Sequence, residues 1–172
     1  MTTESLLTKI PDNTSLLQPT KFTLVFPTMP FLRYFCQTAT VPSISTSAIS
    51  LETPFSNTYR HGDKLIFDEL TVNAIIDEDM RIWEETYKWL VSLTKPTEFP
   101  EYIRYKDSRA MVYHDAILTI NTNANIPNIR LKFTNVHPLT LGAVNFNVAD
   151  NADTTLTADI TFRYDYYQLV RL

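Results

Sequence analysis

The sequence predicts a mostly β fold: an antiparallel β-sandwich or barrel-like pair of sheets, one flanking α-helix at about 79–94, and a long hairpin arm at about 41–62. Three observations carry this prediction. Apolar residues recur at every second position in short runs separated by turn clusters. A single segment follows the helical period instead. Only two glycines, Gly62 and Gly142, occur in 172 residues, so tight Asn-Gly hairpins are scarce and connections are longer.

Residues 1–19 read as an N-terminal arm. Leu6, Leu7, Ile10, Leu16 and Leu17 follow no single period, and Pro11 and Pro19 interrupt them. Such a segment packs on its own domain or docks on a neighbouring subunit. Residues 20–172 read as one domain, long enough for a substantial core. Lys21–Phe26 alternates, with Phe22, Leu24 and Phe26 on one side, and predicts a strand. The turn PTMP follows, and Arg33–Thr38 predicts a second strand completing a hairpin. Val41–Gly62 is rich in Ser, Thr and Pro and poor in charge. It is too long for an idle loop, so it predicts an extended arm whose exposed teeth are Ile44, Ile49, Leu51, Phe55 and Tyr59.

Leu65 and Phe67 share a face; after Asp68–Glu69 the apolar set moves to Leu70, Val72, Ala74 and Ile76. A period of two cannot change parity without an irregularity, so a bulge or bend is expected at Asp68–Glu69. The helix follows, with Met80, Trp83, Tyr87, Leu90, Val91 and Thr94 as its apolar stripe. Asp77 and Asp79 cap its start and oppose the positive end of its dipole, and Pro96 stops it. Phe67, Trp83, Tyr87, Leu90 and Phe162 are expected in the core.

Thr97–Arg109 is a polar, aromatic connection. Val112–Thr122 and Ile129–Val136 predict strands, the latter ended by His137-Pro138-Leu139. Val144, Phe146 and Val148 predict another. The last strand carries Leu156, Ala158, Ile160, Phe162, Tyr164 and Tyr166 on one face, with Thr157, Asp159, Thr161, Arg163 and Asp165 opposite.

Hydrophobic residues at 44% and charged residues at 20% argue against disorder. No apolar run reaches the roughly 20 residues that span a bilayer, so no membrane insertion is expected. MTTESLLTKIPDNTS lacks the basic start and long apolar stretch of a secretory leader. The lone Cys36 reads as a small buried hydrophobe. The net charge of −4 lies within residues 61–110, which hold seven Lys/Arg against eleven Asp/Glu; a protein gripping phosphates needs the opposite sign.

No catalytic, cofactor or metal site is indicated. Asp77, Glu78 and Asp79 lack the glycine and distant glutamate of a calcium loop. His61, His114 and His137 form no ligand pair. No nucleophile elbow or phosphate-cradling glycine loop is present. Glu84 and Glu85 are adjacent on the helix and do not face one substrate. The run Phe162 to Tyr167 offers aromatics to single-stranded nucleic acid, yet its alternate residues belong to the core face.

Four pieces in order resemble the tail tube protein family of contractile-tailed, T4-like bacteriophages, which includes baseplate tube-initiator proteins and is related to type VI secretion and pyocin tube proteins. They are QPTKFTLVF with RYFCQTATVPSIS; LETPFSNTYRHGDKLIFDELTVNAIIDED; the helix MRIWEETYKWLVSL; and FTNVHPLTLGAVNFNVADNADTTLTADITFRYDYY, with its Pro-x-x-Leu-Gly step. The likeness spans about residues 18–168. It implies a structural subunit without cofactor, forming hexameric rings that stack into a hollow tube, with the arm at 41–62 reaching the adjacent ring. It further implies sheath and baseplate proteins as partners, non-specific passage of double-stranded DNA through the lumen, and a place in the virion tail after assembly in the host cytoplasm. The alternative within the family is a baseplate-proximal initiator ring. Outside it, Tyr59, Tyr102, Tyr105 and Tyr113 leave open a ligand-binding β-sandwich for glycan or single-stranded nucleic acid.

Overall fold

The computed structural model describes residues 13–94, 112–149, 151 and 153–172. Most of the N-terminal arm, and the 97–109 connection with Tyr102 and Tyr105, lie outside the described residues. Among the described residues the chain runs β1 (Phe22–Val25), α1 (Pro30–Phe35), β2 (Cys36–Ala39), β3 (Ile44–Glu52), β4 (Asn57–Phe67), β5 (Leu70–Ile75), α2 (Arg81–Thr94), β6 (His114–Asn121), β7 (Pro127–Leu141), β8 (Thr157–Arg163) and β9 (Tyr166–Arg171). The mostly β, antiparallel architecture matches the sequence prediction, but a second, short helix accompanies the first.

Seven strands form one antiparallel sheet in the order β1-β6-β7-β8-β5-β2, with β9 also on β7. It bends into two halves because β7 serves both. Ile129–Thr134 pair with β6 and β9; His137–Leu141 pair with β8. The strand predicted at Ile129–Val136 therefore continues through Pro138 and changes partners. Pro138 stands where the register with β8 shifts, a place in a sheet that tolerates a missing N–H. Likewise, the last predicted strand is two. β8 pairs with β5 and β7, the chain breaks at Tyr164–Asp165, and β9 returns to the first half-sheet. Parity changes there: Ala158, Ile160, Phe162 and Tyr164 are buried, then Tyr167 takes the inward side and Tyr166 is exposed.

β1 and β2 do not form the predicted hairpin. β1 pairs with β6 and β2 with β5, so α1 links the two halves. Pro30 opens this helix, where its fixed φ suits the first turn. Met29 and Leu32 are buried, and Phe35 packs on the core; that spacing of three is one helix face. No strand forms at Val144–Val148, where Phe146 and Val148 are exposed.

The core lies between the half-sheets, with Phe26 and Phe162 rings 4.8 Å apart. α2 closes it with Ile82, Thr86 and Trp89. Trp89 lies beside His114 and Phe162, and its Nε1 donates to Val112 O at 3.1 Å. Thr86 is satisfied by donating to Ile82 O. This buried face is offset by about one residue from the predicted stripe. Tyr87 is 49% exposed, and Trp83 and Leu90 are only partly covered. Trp83 and Tyr87 instead stack on each other at 5.5 Å on the helix flank. Phe67 is partly buried against the core, while Phe162 is fully buried.

Candidate functional site: the projecting arm

Among the described residues β3 and β4 pair only with each other, as a separate two-stranded ribbon. Every residue of β3 is exposed, and β4 is exposed except at Gly62 and Phe67. An isolated ribbon of two strands is marginal in water, so this one depends on its root and on whatever covers it. The root is fastened at three points. Tyr167 Oη donates to Pro42 O at 3.1 Å, Ser43 Oγ donates to Asp68 Oδ2 at 3.1 Å, and the Asp68 N–H donates to Ser43 O at 3.0 Å. Phe67 then enters the aromatic cluster of Tyr164 and Tyr167. The expected irregularity at Asp68–Glu69 is the break at which the chain leaves the arm and enters the sheet as β5.

The register assigns each tooth a side. Ile49 faces Arg60 and Leu51 faces Thr58, on one face; Ser50 faces Tyr59, Glu52 faces Asn57 and Ile44 faces Phe67, on the other. Partners across an antiparallel ladder share a face, and faces alternate along each strand. The five predicted teeth therefore do not form one stripe. Ile49 and Leu51 occupy one face, Ile44 and Tyr59 the other, and Phe55 stands at the tip, 99% exposed. Thr53 closes the tip by bonding with Ser56 O. Leu65 and Ile66, also exposed, extend the two apolar faces toward the root. Leu65, grouped with Phe67 by its spacing in the sequence, belongs with it to β4, and the parity change after Phe67 marks where the arm ends.

Between Thr46–Leu65 and Ala48–His61 the ladder carries a bulge, in which Ser47 faces Gly62 and its two successors. A Cβ at Gly62 would lie 2.0 Å from Ser47 Oγ and 2.6 Å from Ser47 O, so glycine is required there by space.

The acidic corner before α2 is capping machinery. Asp77 Oδ1 accepts the Arg81 N–H at 2.9 Å. Asp79 serves differently, pairing with the Arg81 side chain at 2.6 Å. Glu85 is pushed upward by burial and by neighbouring Glu84 and Asp77. Burial pushes the Cys36 thiol up to about 11, which leaves it unreactive at neutral pH.

Residues 14–170 match the family model described as "Phage tail tube protein". Among solved structures the chain is similar to one in the anti-feeding prophage cap, the AFP tube terminating cap, with TM-score 0.69, 10% identity and coverage of 98% of this chain and 99% of that one. It is also similar to a chain of the PVC extracellular contractile injection system sheath-tube complex in its extended state, at TM-score 0.59, 12% identity and coverage of 100% and 99%. A third likeness is to a chain of the AFP baseplate, at TM-score 0.61, 9% identity and coverage of 94% and 97%. At such identities these likenesses establish a shared fold. No curated protein matches in sequence.

Proposed function

The chain belongs to the phage tail tube protein family, a structural and not a catalytic family, and we propose that it assembles with copies of itself into hexameric rings that stack into a hollow tube. The observation that carries this reading is the arm. A ribbon fastened firmly at its root, with apolar teeth on both faces that are exposed among the described residues, is suited to burial between neighbours. The arm reaches the adjacent ring, and sheath and baseplate proteins contact the finished tube.

The tube passes double-stranded DNA without holding it. Support comes from the outer side of the second half-sheet, where Thr71 pairs with Thr161 and Asn73 with Asp159. Hydroxyls, amides and a carboxylate bring no positive charge to hold phosphates, and Arg163 on the same face is paired with Glu69 at 3.5 Å. Asp165, from the same predicted strand, belongs instead to the corner between the half-sheets. The particle tail is where the family's proteins reside; assembly in the host cytoplasm follows from a chain that must polymerise before the particle is complete.

Removing residues 48–61, the arm beyond its bulge, tests the reading. The expected result is a folded protein by circular dichroism that forms no stacked rings in electron micrographs, under conditions in which the intact chain forms them. Stacked tubes from the shortened chain would reject the role of the arm. Immunogold labelling of tails separates a repeating subunit, labelled along the length, from an initiator ring, labelled at one end.

A further inference from the structure

The two faces of the arm carry opposite charge. Arg60 shares the face of Ile49 and Leu51, Ile66 opposite Ser45 lies on that side too, and alternation carried through the bulge assigns Lys64 to it. Glu52 lies on the face of Tyr59 and Ile44, to which alternation adds Asp63 and Leu65. The charges on the ribbon thus sum to zero while dividing two cations to one side and two carboxylates to the other. Each side also exposes apolar side chains: Ile49, Leu51 and Ile66 on the basic face, Ile44, Tyr59 and Leu65 on the acidic one. Among the described residues, none of the four charged groups forms an ion pair.

We propose that these faces are complementary to each other, and that the basic face of one copy's arm lies on the acidic face of the next copy's arm. The occupant of each face is a second copy of this chain. Such a contact joins two different patches, so it propagates head to tail, and a head-to-tail contact that closes makes a ring. Apolar teeth supply the contact area, and the charges fix which side meets which. This rests on the arm being an assembly element, and it adds that arms contact arms.

The test uses the full chain with three variants. Arg60→Glu with Lys64→Glu makes both faces acidic; Glu52→Lys with Asp63→Lys makes both basic; the third carries all four changes. Each two-site variant should assemble at least about tenfold less at low salt, with partial recovery as screening increases. An equimolar mixture of the two should assemble by alternation, and the four-site variant should assemble alone, because complementarity is restored in reverse. Folding is verified by circular dichroism. Wild-type assembly by either two-site variant overturns the proposal, as does failure of both the mixture and the four-site variant while folded. If removal of residues 48–61 abolishes assembly but the charge variants behave as wild type, the arm keeps its assembly role and the arm-to-arm contact is excluded.

Discussion

Asn135 Nδ2 donates to Asp165 Oδ2 at 2.5 Å, and the Asp165 N–H donates to Thr134 O at 3.1 Å. These bonds clamp together the two points at which the chain passes between half-sheets, within β7 and between β8 and β9. The break from arm to sheet joins the same corner, since Tyr164 Oη donates to Asp68 O at 2.7 Å and Arg163 reaches Glu69 at 3.5 Å. One corner therefore sets the angle between the half-sheets and the root of the arm.

Asn135 holds this corner at φ 57, a left-handed conformation that asparagine tolerates and a β-branched residue does not. Asn135→Gly removes the side-chain bond and should cost about 0.5–1.5 kcal/mol. Asn135→Val adds strain of roughly 1–2 kcal/mol to that loss. Urea unfolding of both variants measures the difference; equal midpoints would show that the backbone conformation makes no demand here.

Tyr164 gives the corner a pH dependence. Burial, then the neighbouring Tyr167, pushes its phenol from 10.0 up to about 12. The folded value lies above the unfolded one, so the folded state favours the neutral form. Its stabilising effect is complete below pH 10 and is lost as pH rises toward 12. Stability of the native protein should fall more steeply across that window than stability of Tyr164→Phe, read by urea melts alongside phenolate absorbance. Parallel slopes would assign the alkaline transition to another group.

The buried face of α2 predicts unequal costs on one helix. Trp89→Ala should cost about 3–5 kcal/mol, as expected for truncating a buried Trp. Tyr87→Ala should cost about 1 kcal/mol, since it loses chiefly its stacking on Trp83. Thermal or denaturant melts settle the order; comparable losses would mean that the Trp83–Tyr87 flank bears on the core as much as Trp89 does.

These residues also show what was legible in the sequence. Most strands and α2 stood out because period two and period 3.6 leave different marks, and the arm stood out by its length and low charge. By contrast, the alternating run Val144–Val148 forms no strand, and Arg33–Phe35 of the predicted second strand belong to α1. The face of α2 did not, since Trp83–Tyr87–Leu90 and Ile82–Thr86–Trp89 are both regular series and only tertiary packing chooses between them. α1 was missed because Met29, Leu32 and Phe35 mark one helix face too short to separate from alternation, with Pro30 as the overlooked start signal. The partner exchange in β7 depends on Asn135 and Asp165, far apart in sequence, and on no local pattern. The arm's teeth were visible by type, but their division between two faces required the register, which a bulge at Ser47 and Gly62 shifts.

Gly62 offers a probe of the arm that leaves the core alone. A Cβ there meets both Ser47 Oγ and Ser47 O, so Gly62→Ala must displace backbone and re-aim the ribbon beyond it. The arm lies outside the core, so unfolding stability should change by no more than about 0.5 kcal/mol. Assembly should fall, because the distal faces no longer meet their partners in register. Ser47→Ala alone removes only the hydroxyl and should assemble normally. Combining it with Gly62→Ala should not restore assembly, since the carbonyl oxygen remains 2.6 Å from the new Cβ. Sedimentation of assembled material across the three variants reads the outcome; normal assembly by Gly62→Ala would show that the direction of the arm is not critical.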